Sequence, residues 1–314
     1  MAKLITGGTG VIGSEVARQL VSRGEDVVLF DISINEGRIR DIRDKVKIVQ
    51  GDVSIYPEVF SAVKENGIDA VFHLGAVLGG RSEQVPWASF QTNILGTMNV
   101  LEAVRLFDVK IMVYTSSIGS FGPSISGTAT DSSAQKPRTI YGISKLYCEQ
   151  VGRYYREKMG IDFRAVRYPA VAAPGSQVYY HVFCHVFTKP AMGLPYEMPV
   201  PPDGGVSLIH YKDAALAAIQ LHDAPAENIV TVNYNVAGPK GRVPYRDMEQ
   251  AVKVIIPGAQ LTYSKKPDVN LYPELTLYDD SSARAEWGWS PRYDTIERIA
   301  EEMVRETREK HGIS

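Results

Sequence analysis

"LITGGTGVIGSEVARQL" (residues 4–20) is the stretch from which the architecture follows. An apolar run ends at Thr6, glycines stand at 7, 10 and 13, and apolar residues then recur at helical spacing to Leu20. That order reads as strand, tight turn, helix. Glycines at G-x-x-G-x-x-G spacing allow the turn, let backbone approach a pyrophosphate, and let the helix pack closely on the sheet. The helix N-terminus, with Val11, Ile12 and Gly13 in its first turn, favours the phosphate charge. A ligand-free βα turn needs similar glycines, so a second feature must decide. Asp31 closes the next strand, 18 residues after Gly13. A carboxylate there accepts hydrogen bonds from an adenosine ribose and repels a 2′-phosphate, which favours NAD over NADP. An Asp that only caps its own loop is the plain alternative. Arg38 and Arg40 lie close enough to meet a 2′-phosphate, but charges alternate through "EGRIRDIR" (36–43) as on a solvated face.

Outward from this loop, short apolar runs alternate with amphipathic ones. Residues 2–6, 26–31, 46–52, 70–76, 111–117 and 162–169 read as buried strands, and 12–23, 56–65, 86–107 and 139–159 as helices. Alternation of that kind predicts βαβ units: an α/β, doubly wound parallel sheet of Rossmann type, with helices on both faces. After residue 169 the pattern breaks into an irregular, proline- and aromatic-rich stretch (170–205). "VSLIHYKDAALAAIQLH" (206–222) returns to a strand and a helix. The expected division is a nucleotide-binding domain over 1–169 with a return segment at about 206–236. A smaller substrate lobe is expected from 170–205 and 237–314.

Further candidate groups fall at the carboxyl ends of the expected strands, where such sheets bind ligands. Asp52 and Val53 follow the third strand, within reach of an adenine. Leu74, Gly75 and Ala76 follow the fourth, placing small residues where backbone must pass close to a ligand. Ser117 ends the fifth. Tyr141 and Lys145, in "TIYGISKLYCEQ" (139–150), share one helical face at i, i+4. An ammonium beside a phenol favours the phenolate and lowers a pKa that is ordinarily about 10. Any helix can place Tyr and Lys so by chance; Ser117 at the same sheet edge turns the pair into a proton-transfer set. Ser117 would orient a carbinol, Tyr141 would take its proton, and Lys145 would also reach the nicotinamide ribose.

Taken together, Gly7/Gly10/Gly13, Asp31, Asp52-Val53, Asn93, Ser117 and Tyr141-x-x-x-Lys145 resemble the extended short-chain dehydrogenase/reductase family along nearly the whole chain. The resemblance implies NAD as cofactor, with Asn93 and Tyr168 also lining its site. It further implies a homodimer formed through the helices around 86–107 and 139–159; packing inside one subunit would use the same helices. "SSIGSFGPS", "KPRTIYGISKLYCE" with "GIDFRAVRYP", and "YDDSSARAEWGW" are similar to the short-chain type of L-threonine 3-dehydrogenase. That implies oxidation of the β-hydroxyl of L-threonine, or of a closely related small β-hydroxy compound. Arg81 and Ser82, in "GGRSE" (79–83), are expected beside the substrate, together with Ser117 and Tyr141. The group's Thr-Thr-Asp after its Arg-Tyr-Pro is replaced here by Ser176-Gln177-Val178, which removes an acidic partner for a substrate ammonium. Its later Leu-Pro-Met-Met-Tyr-Met-Pro-Asp stretch reads "VSLIHYKD" here, ending in Asp213.

The alternative is a nucleotide-sugar 4-epimerase using tightly bound NAD. Such enzymes commonly carry Arg-(Tyr/Phe)-Phe-Asn after the sixth strand, where this chain has Arg167-Tyr168-Pro169-Ala170. A dehydratase would need an acidic pair where Ile118-Gly119 stand, and an NAD-sensing regulator would have no use for the retained tyrosine and lysine.

Composition bounds the partners. The 314 residues carry a net charge of −2, so no global electrostatic argument favours nucleic acid or a membrane surface. No stretch approaches the 18 or so consecutive apolar residues of a spanning helix. Cys148 and Cys184 sit in apolar segments and read as buried free thiols, which fits a cytoplasmic location. His181 and His185 are spaced for a metal but lack an evident third ligand, so packing is expected and no metal. Trp287 and Trp289 are expected to pack the lobe, and Arg284 is left between an ion pair and the cleft.

Overall fold

The computed structural model describes residues 1–175, 181–267 and 274–313. Its N-terminal part runs β1 (Ala2–Thr6), α1 (Val11–Ser22), β2 (Val27–Asp31), α2 (Glu36–Ile39), β3 (Lys47–Gln50), α3 (Tyr56–Lys64) and β4 (Ile68–His73). There follow α4 (Gly79–Gln84), α5 (Pro86–Ser89), a wider π-type segment (Phe90–Leu95), α6 (Gly96–Leu106), β5 (Ile111–Ser117), β6 (Gly127–Ala129), α7 (Ile140–Met159) and β7 (Asp162–Tyr168). The remainder holds β8 (Ala170–Ala172), α8 (Val182–Ala191), β9 (Tyr196–Met198), β10 (Gly205–Val206), β11 (Leu208–His210), α9 (Tyr211–Asp223) and β12 (Asn233–Asn235). It ends with β13 (Val243–Pro244), α10 (Tyr245–Ile255), β14 (Leu261–Tyr263), β15 (Leu275–Tyr278), α11 (Ser281–Trp287) and α12 (Ile296–His311).

One seven-stranded sheet, in the order β12-β7-β5-β4-β1-β2-β3, carries the fold, and every pairing in it is parallel. Parallel strands need crossovers that put helices on both faces, so the strands must be apolar on both sides. They are: β1 is buried throughout and β2 up to its last residue. Lys3 is the exception inside β1, and its ammonium is matched by Asp69, 2.9 Å away. One face is covered by α1 and the alanine-rich α9, through Val16, Ala17 and Leu20 against Ala214, Ala217 and Leu221. The other is covered by α3, α6 and α7, with Val59, Val63, Val100, Val104 and Tyr155 in one cluster. The strand order turns back between β1 and β4, which puts the ligand crevice of such a sheet above those two carboxyl ends.

A third core lies in the C-terminal part, where α8, α10 and α12 bring together Phe183, Val186, Phe187, Met248, Val252, Ile299 and Met303. Three sequence expectations change here. The stretch 170–205 is not irregular throughout, since α8 and β9 form within it. The strand expected at the start of 206–222 does not join the main sheet: β11 pairs with β8 in a two-stranded sheet, and β12 takes the place beside β7. Helix 86–107 is interrupted by the π-type segment. Ser176-Gln177-Val178 lie outside the described residues.

Candidate active site

The glycine loop is shaped by backbone meeting backbone. Gly7 has φ +65°, a left-handed conformation, and a Cβ on it would fall 2.9 Å from Gly75 Cα and N. A Cβ on Gly13 would fall 2.2 Å from the Gly7 carbonyl oxygen, and one on Gly10 3.0 Å from the same atom. The loop therefore folds down onto the start of α1 and across to the end of β4. Gly10 is the N-cap and supplies no side chain to the helix, and no acidic residue lies in the first turn. First-turn N–H groups of Val11, Ile12 and Gly13 thus have no neighbouring carboxylate in that turn to compete with an anion. The cradle is one that side chains would fill, and it fits a pyrophosphate.

Asp31 stands at the end of β2 beside this loop. Thr9 donates to its Oδ2 twice, from the backbone N–H at 2.9 Å and from the hydroxyl at 2.8 Å. Ser33 N–H approaches Oδ1 at 3.3 Å. Thr9, which the sequence reading passed over, fixes the direction of the carboxylate. Arg38 and Arg40 are exposed. Asp52 accepts Ser54 N–H at 2.8 Å, and Val53 is buried against Gly96. Leu74 and Gly75 are tied to Thr6, whose carbonyl and hydroxyl accept their N–H groups at 3.2 Å each.

At the end of β5, Ser117 Oγ accepts the Gly119 N–H at 3.1 Å. The N-terminus of α7 comes down directly onto this turn, because a Cβ on Gly142 would lie 2.3 Å from the Gly119 carbonyl oxygen. Thr139 Oγ1 caps the helix through Gly142 N–H, and Glu83 of α4 accepts Ile140 N–H at 2.7 Å. The result is a shared contact point: a Cβ on Gly119 would meet Ser117 Oγ at 3.4 Å and the Tyr141 ring at 3.5 Å. Beneath them is Lys145, with its Nζ 5.6 Å from the Tyr141 ring centroid. It donates to the Thr115 carbonyl at 2.7 Å. Burial pushes its pKa down to about 8.

One turn further on, Glu149 is fully buried. Arg167 grips it with two parallel bonds, Nε to Oε1 at 3.0 Å and Nη2 to Oε2 at 2.7 Å. Ser116 Oγ also donates to it, and Gln135 Nε2 does so at 2.9 Å. Asp131, whose carbonyl accepts from Arg167, is pushed up to about 6 by burial. The signal for this pair was present in the sequence. Tyr141, Lys145 and Glu149 repeat at i, i+4, i+8, and an arginine inside the apolar strand "FRAVRY" requires a buried partner.

Three expected contacts are not available as side chains. Ser82 is fully buried, donating to the Val77 carbonyl at 2.9 Å and accepting from Ser89 at 2.8 Å. Asn93 uses both ends of its amide on Val77, accepting its N–H at 2.7 Å and donating to its carbonyl at 3.0 Å, and also reaches Ser144. It holds the loop after β4 to α7. Tyr168 turns into the core, where its hydroxyl donates to the Ala214 carbonyl at 2.6 Å. Arg81 is exposed on α4 and bonds Gln84 at 3.2 Å.

The remaining candidates lie in packed or paired surroundings. The His181 ring lies 5.0 Å from that of Phe183, and burial with His185 nearby pushes it down to about 4. His185 is buried against Tyr196. Arg284 pairs with Asp280 at 2.9 Å, Trp289 is buried and donates to the Ala237 carbonyl, and Trp287 packs edge-on to Tyr234. Both cysteines are buried and unbridged. Among the described residues no helix is long and apolar enough to cross a membrane.

Comparison with known proteins places this geometry. The model of the NAD dependent epimerase/dehydratase family matches residues 3–237. The mitochondrial L-threonine 3-dehydrogenase of Bos taurus is 31% identical over 310 residues, covering 94% of this chain and 80% of the bovine protein. Among solved structures, an L-threonine dehydrogenase from Cupriavidus necator in its holo form superposes with a TM-score of 0.88 at 28% identity, covering 98% of this chain and 99% of that one. The UDP-glucose 4-epimerase of Thermus thermophilus, in complex with NAD, shares the fold, with a TM-score of 0.82 at 24% identity over 98% and 99% of the two chains. The chain belongs to the NAD dependent epimerase/dehydratase family, among its extended short-chain dehydrogenases/reductases, and is an NAD-dependent oxidoreductase.

Proposed function

We propose that the protein oxidises the β-hydroxyl of L-threonine, or of a closely related small β-hydroxy compound, to the ketone. The observation that carries this is that Ser117 Oγ and the Tyr141 ring flank one point, the place a Cβ on Gly119 would take, with the Lys145 ammonium beneath. The N–H groups of Val11, Ile12 and Gly13 would hold the pyrophosphate of NAD, and Asp31 would bind the adenosine ribose. Backbone at Gly75 and Ala76 would pass beside the dinucleotide, Asp52 would lie near the adenine, and Lys145 would reach the nicotinamide ribose. Bound NAD supplies the acceptor for the hydride lost from the β-carbon.

The chain's own groups handle the proton. Ser117 donates to the substrate oxygen and fixes its direction, and Tyr141 accepts the hydroxyl proton as the carbonyl forms. The cation of Lys145 stabilises the phenolate that this requires. Arg81, on a helix tied to the start of α7 by Glu83, is the candidate partner of the substrate carboxylate. The relatives that turn over threonine support the substrate class. The proposed division of labour is a nucleotide-binding domain of 1–169 with 206–236, and a substrate lobe of 170–205 with 237–314. It is supported by a separate core for the lobe.

The proposed assembly is a homodimer. Large apolar side chains stay exposed on the segment from Pro86 to Leu106 and on α7: Trp87, Phe90, Ile143, Tyr147 and Tyr154. Ile143, Tyr147 and Tyr154 form one helical face, opposite the one that carries Tyr141 and Lys145. Sedimentation of the wild type and of Tyr147→Glu tests it, with a monomeric wild type refuting it. The buried free thiols support a reducing, cytoplasmic compartment.

The test of function is NADH formation by purified protein with L-threonine, L-serine, simple 3-hydroxy acids and UDP-sugars. NADH with threonine or a small relative supports the reading. UDP-sugar interconversion without net NADH replaces it with the epimerase. Tyr141→Phe should lower kcat/KM on the order of 10²–10⁴-fold while NAD still binds; retained turnover removes Tyr141 from the mechanism.

A further inference from the structure

The Lys145 ammonium is 3% exposed, yet its charge has little to satisfy it. Its hydrogen-bond partner among the described residues is one carbonyl, that of Thr115. No carboxylate lies within ion-pair distance among them; Glu149 is spent on Arg167, Ser116 and Gln135. An ammonium has three donors, and one buried with a single acceptor tends to lose its proton. Beside it lies an aromatic face. The Tyr114 ring centroid is 4.7 Å from Nζ, nearer than the Tyr141 ring at 5.6 Å. Both distances fall inside the range of about 6 Å over which a cation is held by a ring face.

Tyr114 is built to present that face. It is buried on β5, with the rings of His73 and Phe163 near-parallel to it at 5.8 and 5.9 Å, which restrain its plane. Its buried hydroxyl meets the weak Cys148 thiol, and no stronger hydrogen bond among the described residues accounts for the placement. His73 is kept neutral by burial, and its two nitrogens pair with Thr6 and Thr97. The stack therefore adds no positive charge to repel the ammonium.

We propose that Tyr114 is a positioning residue whose ring face holds the Lys145 ammonium charged and aimed at Tyr141. The proposal rests on the reading of Tyr141 as the proton-transfer group. The titratable groups around the ammonium are Tyr141, Cys148 and Glu149 on α7, Tyr114 on β5 and His73 on β4, with Arg167 of β7 behind Glu149. Removing the ring face withdraws stabilisation from the cation, and with it the cation's support of a phenolate at Tyr141.

The experiment compares Tyr114→Phe, which keeps the face, with Tyr114→Leu, which removes it. The first readout needs neither cofactor nor substrate: tyrosinate absorbance of each protein minus that of the same protein carrying Tyr141→Phe, titrated from neutral into alkaline pH. The Leu curve is expected to lie roughly one pH unit above wild type, and the Phe curve to overlay it. The acid limb of kcat/KM should move by the same amount and in the same direction. Equal curves for wild type and Leu, or an equal displacement of Phe and Leu, overturn the proposal. If no β-hydroxy compound is turned over, the substrate reading fails, while the absorbance titration still judges Tyr114. Should Tyr114→Leu not fold, Tyr114→Met carries the same expectation.

Discussion

Replacing Gly13 with alanine sets two effects of opposite sign against each other. Gly13 lies in the first turn of α1, where alanine's higher helix propensity would stabilise by about 1 kcal/mol. Against this, the added Cβ falls 2.2 Å from the Gly7 carbonyl oxygen and 3.0 Å from Gly7 C and Gly8 Cα. To restore ordinary contact at 3.4 Å, that carbonyl must retreat by about 1.2 Å. It has nowhere easy to go. Gly7 already abuts the backbone of Gly75, and its carbonyl accepts the Gly10 N–H at 3.0 Å. Backbone overpacking of this kind costs about 1–3 kcal/mol, so the net change is a loss of up to about 2 kcal/mol. At a few degrees per kcal/mol, the melting temperature should fall by roughly 4–8 °C at most.

The effect on NAD should be larger than the effect on stability. A loop displaced by about 1 Å misplaces every N–H it offers, and misplacement on that scale costs on the order of 10²-fold. Expressed as affinity, that is about 2.7 kcal/mol. Calorimetric titration with NAD and thermal unfolding of the same preparations separate the two. Gly258→Ala is the control, because a Cβ there meets nothing within 4 Å. Wild-type NAD affinity in Gly13→Ala would refute the reasoning about the loop. A raised melting temperature would show that helix propensity outweighs the clash.

Three further outcomes follow from the site. Asp31→Asn removes the anion at the end of β2 and should weaken NAD by about 1.5–3 kcal/mol while raising the NADP-to-NAD ratio of kcat/KM; an unchanged ratio places the ribose contact elsewhere. Lys145→Met should abolish turnover yet stabilise the protein at pH 7, because burial lowers the lysine from 10.5 to about 8. The unfolded chain then binds more protons between about pH 8 and 10.5, so wild-type stability climbs across that window, by up to about 3 kcal/mol, and the variant's does not. Urea unfolding against pH would show the gap closing, and a constant gap would refute it. Arg167→Met or Glu149→Leu alone should cost about 3–5 kcal/mol by stranding a buried charge, whereas the double variant should cost much less than their sum. Additive losses would mean that the two are not a pair.

The first βα unit was legible because its glycine spacing, its helical period and the Asp31 position all point to one arrangement. The Tyr141/Lys145 face was legible for the same reason, since i, i+4 geometry needs no tertiary information. Ser82 and Asn93 misled because sequence locates a residue near a strand end but does not say whether its polar atoms are already taken. In both cases the loop carbonyl of Val77 takes them, as buried backbone requires a partner. Tyr168 misled through strand alternation: it and Arg167 point to opposite faces of β7, and the face of Tyr168 is the one covered by α9. The lobe was hardest to read because its strands are two to four residues long, too short to display a period. Gly142 was readable in principle. A glycine directly after the tyrosine makes sense only if something must come close, and the Gly119 carbonyl does.

The burial of an ion pair beneath the proposed catalytic helix calls for an explanation other than stability, because a buried pair rarely stabilises more than well-packed apolar residues would. Charge accounting supplies one. Lys145 and Glu149 are one turn apart, and a Glu149 left to itself would neutralise the ammonium that Tyr141 needs. Arg167 takes both oxygens of Glu149, so the helix face keeps one uncompensated positive charge, and that charge lies under the phenol. The same carboxylate accepts from Ser116 and so fixes the backbone that presents Ser117. Arg167 lies on β7 and is distant from the phenol along the chain. In this arrangement it sets the electrostatics of proton transfer by keeping an acid occupied, while the Tyr114 ring keeps the cation in place.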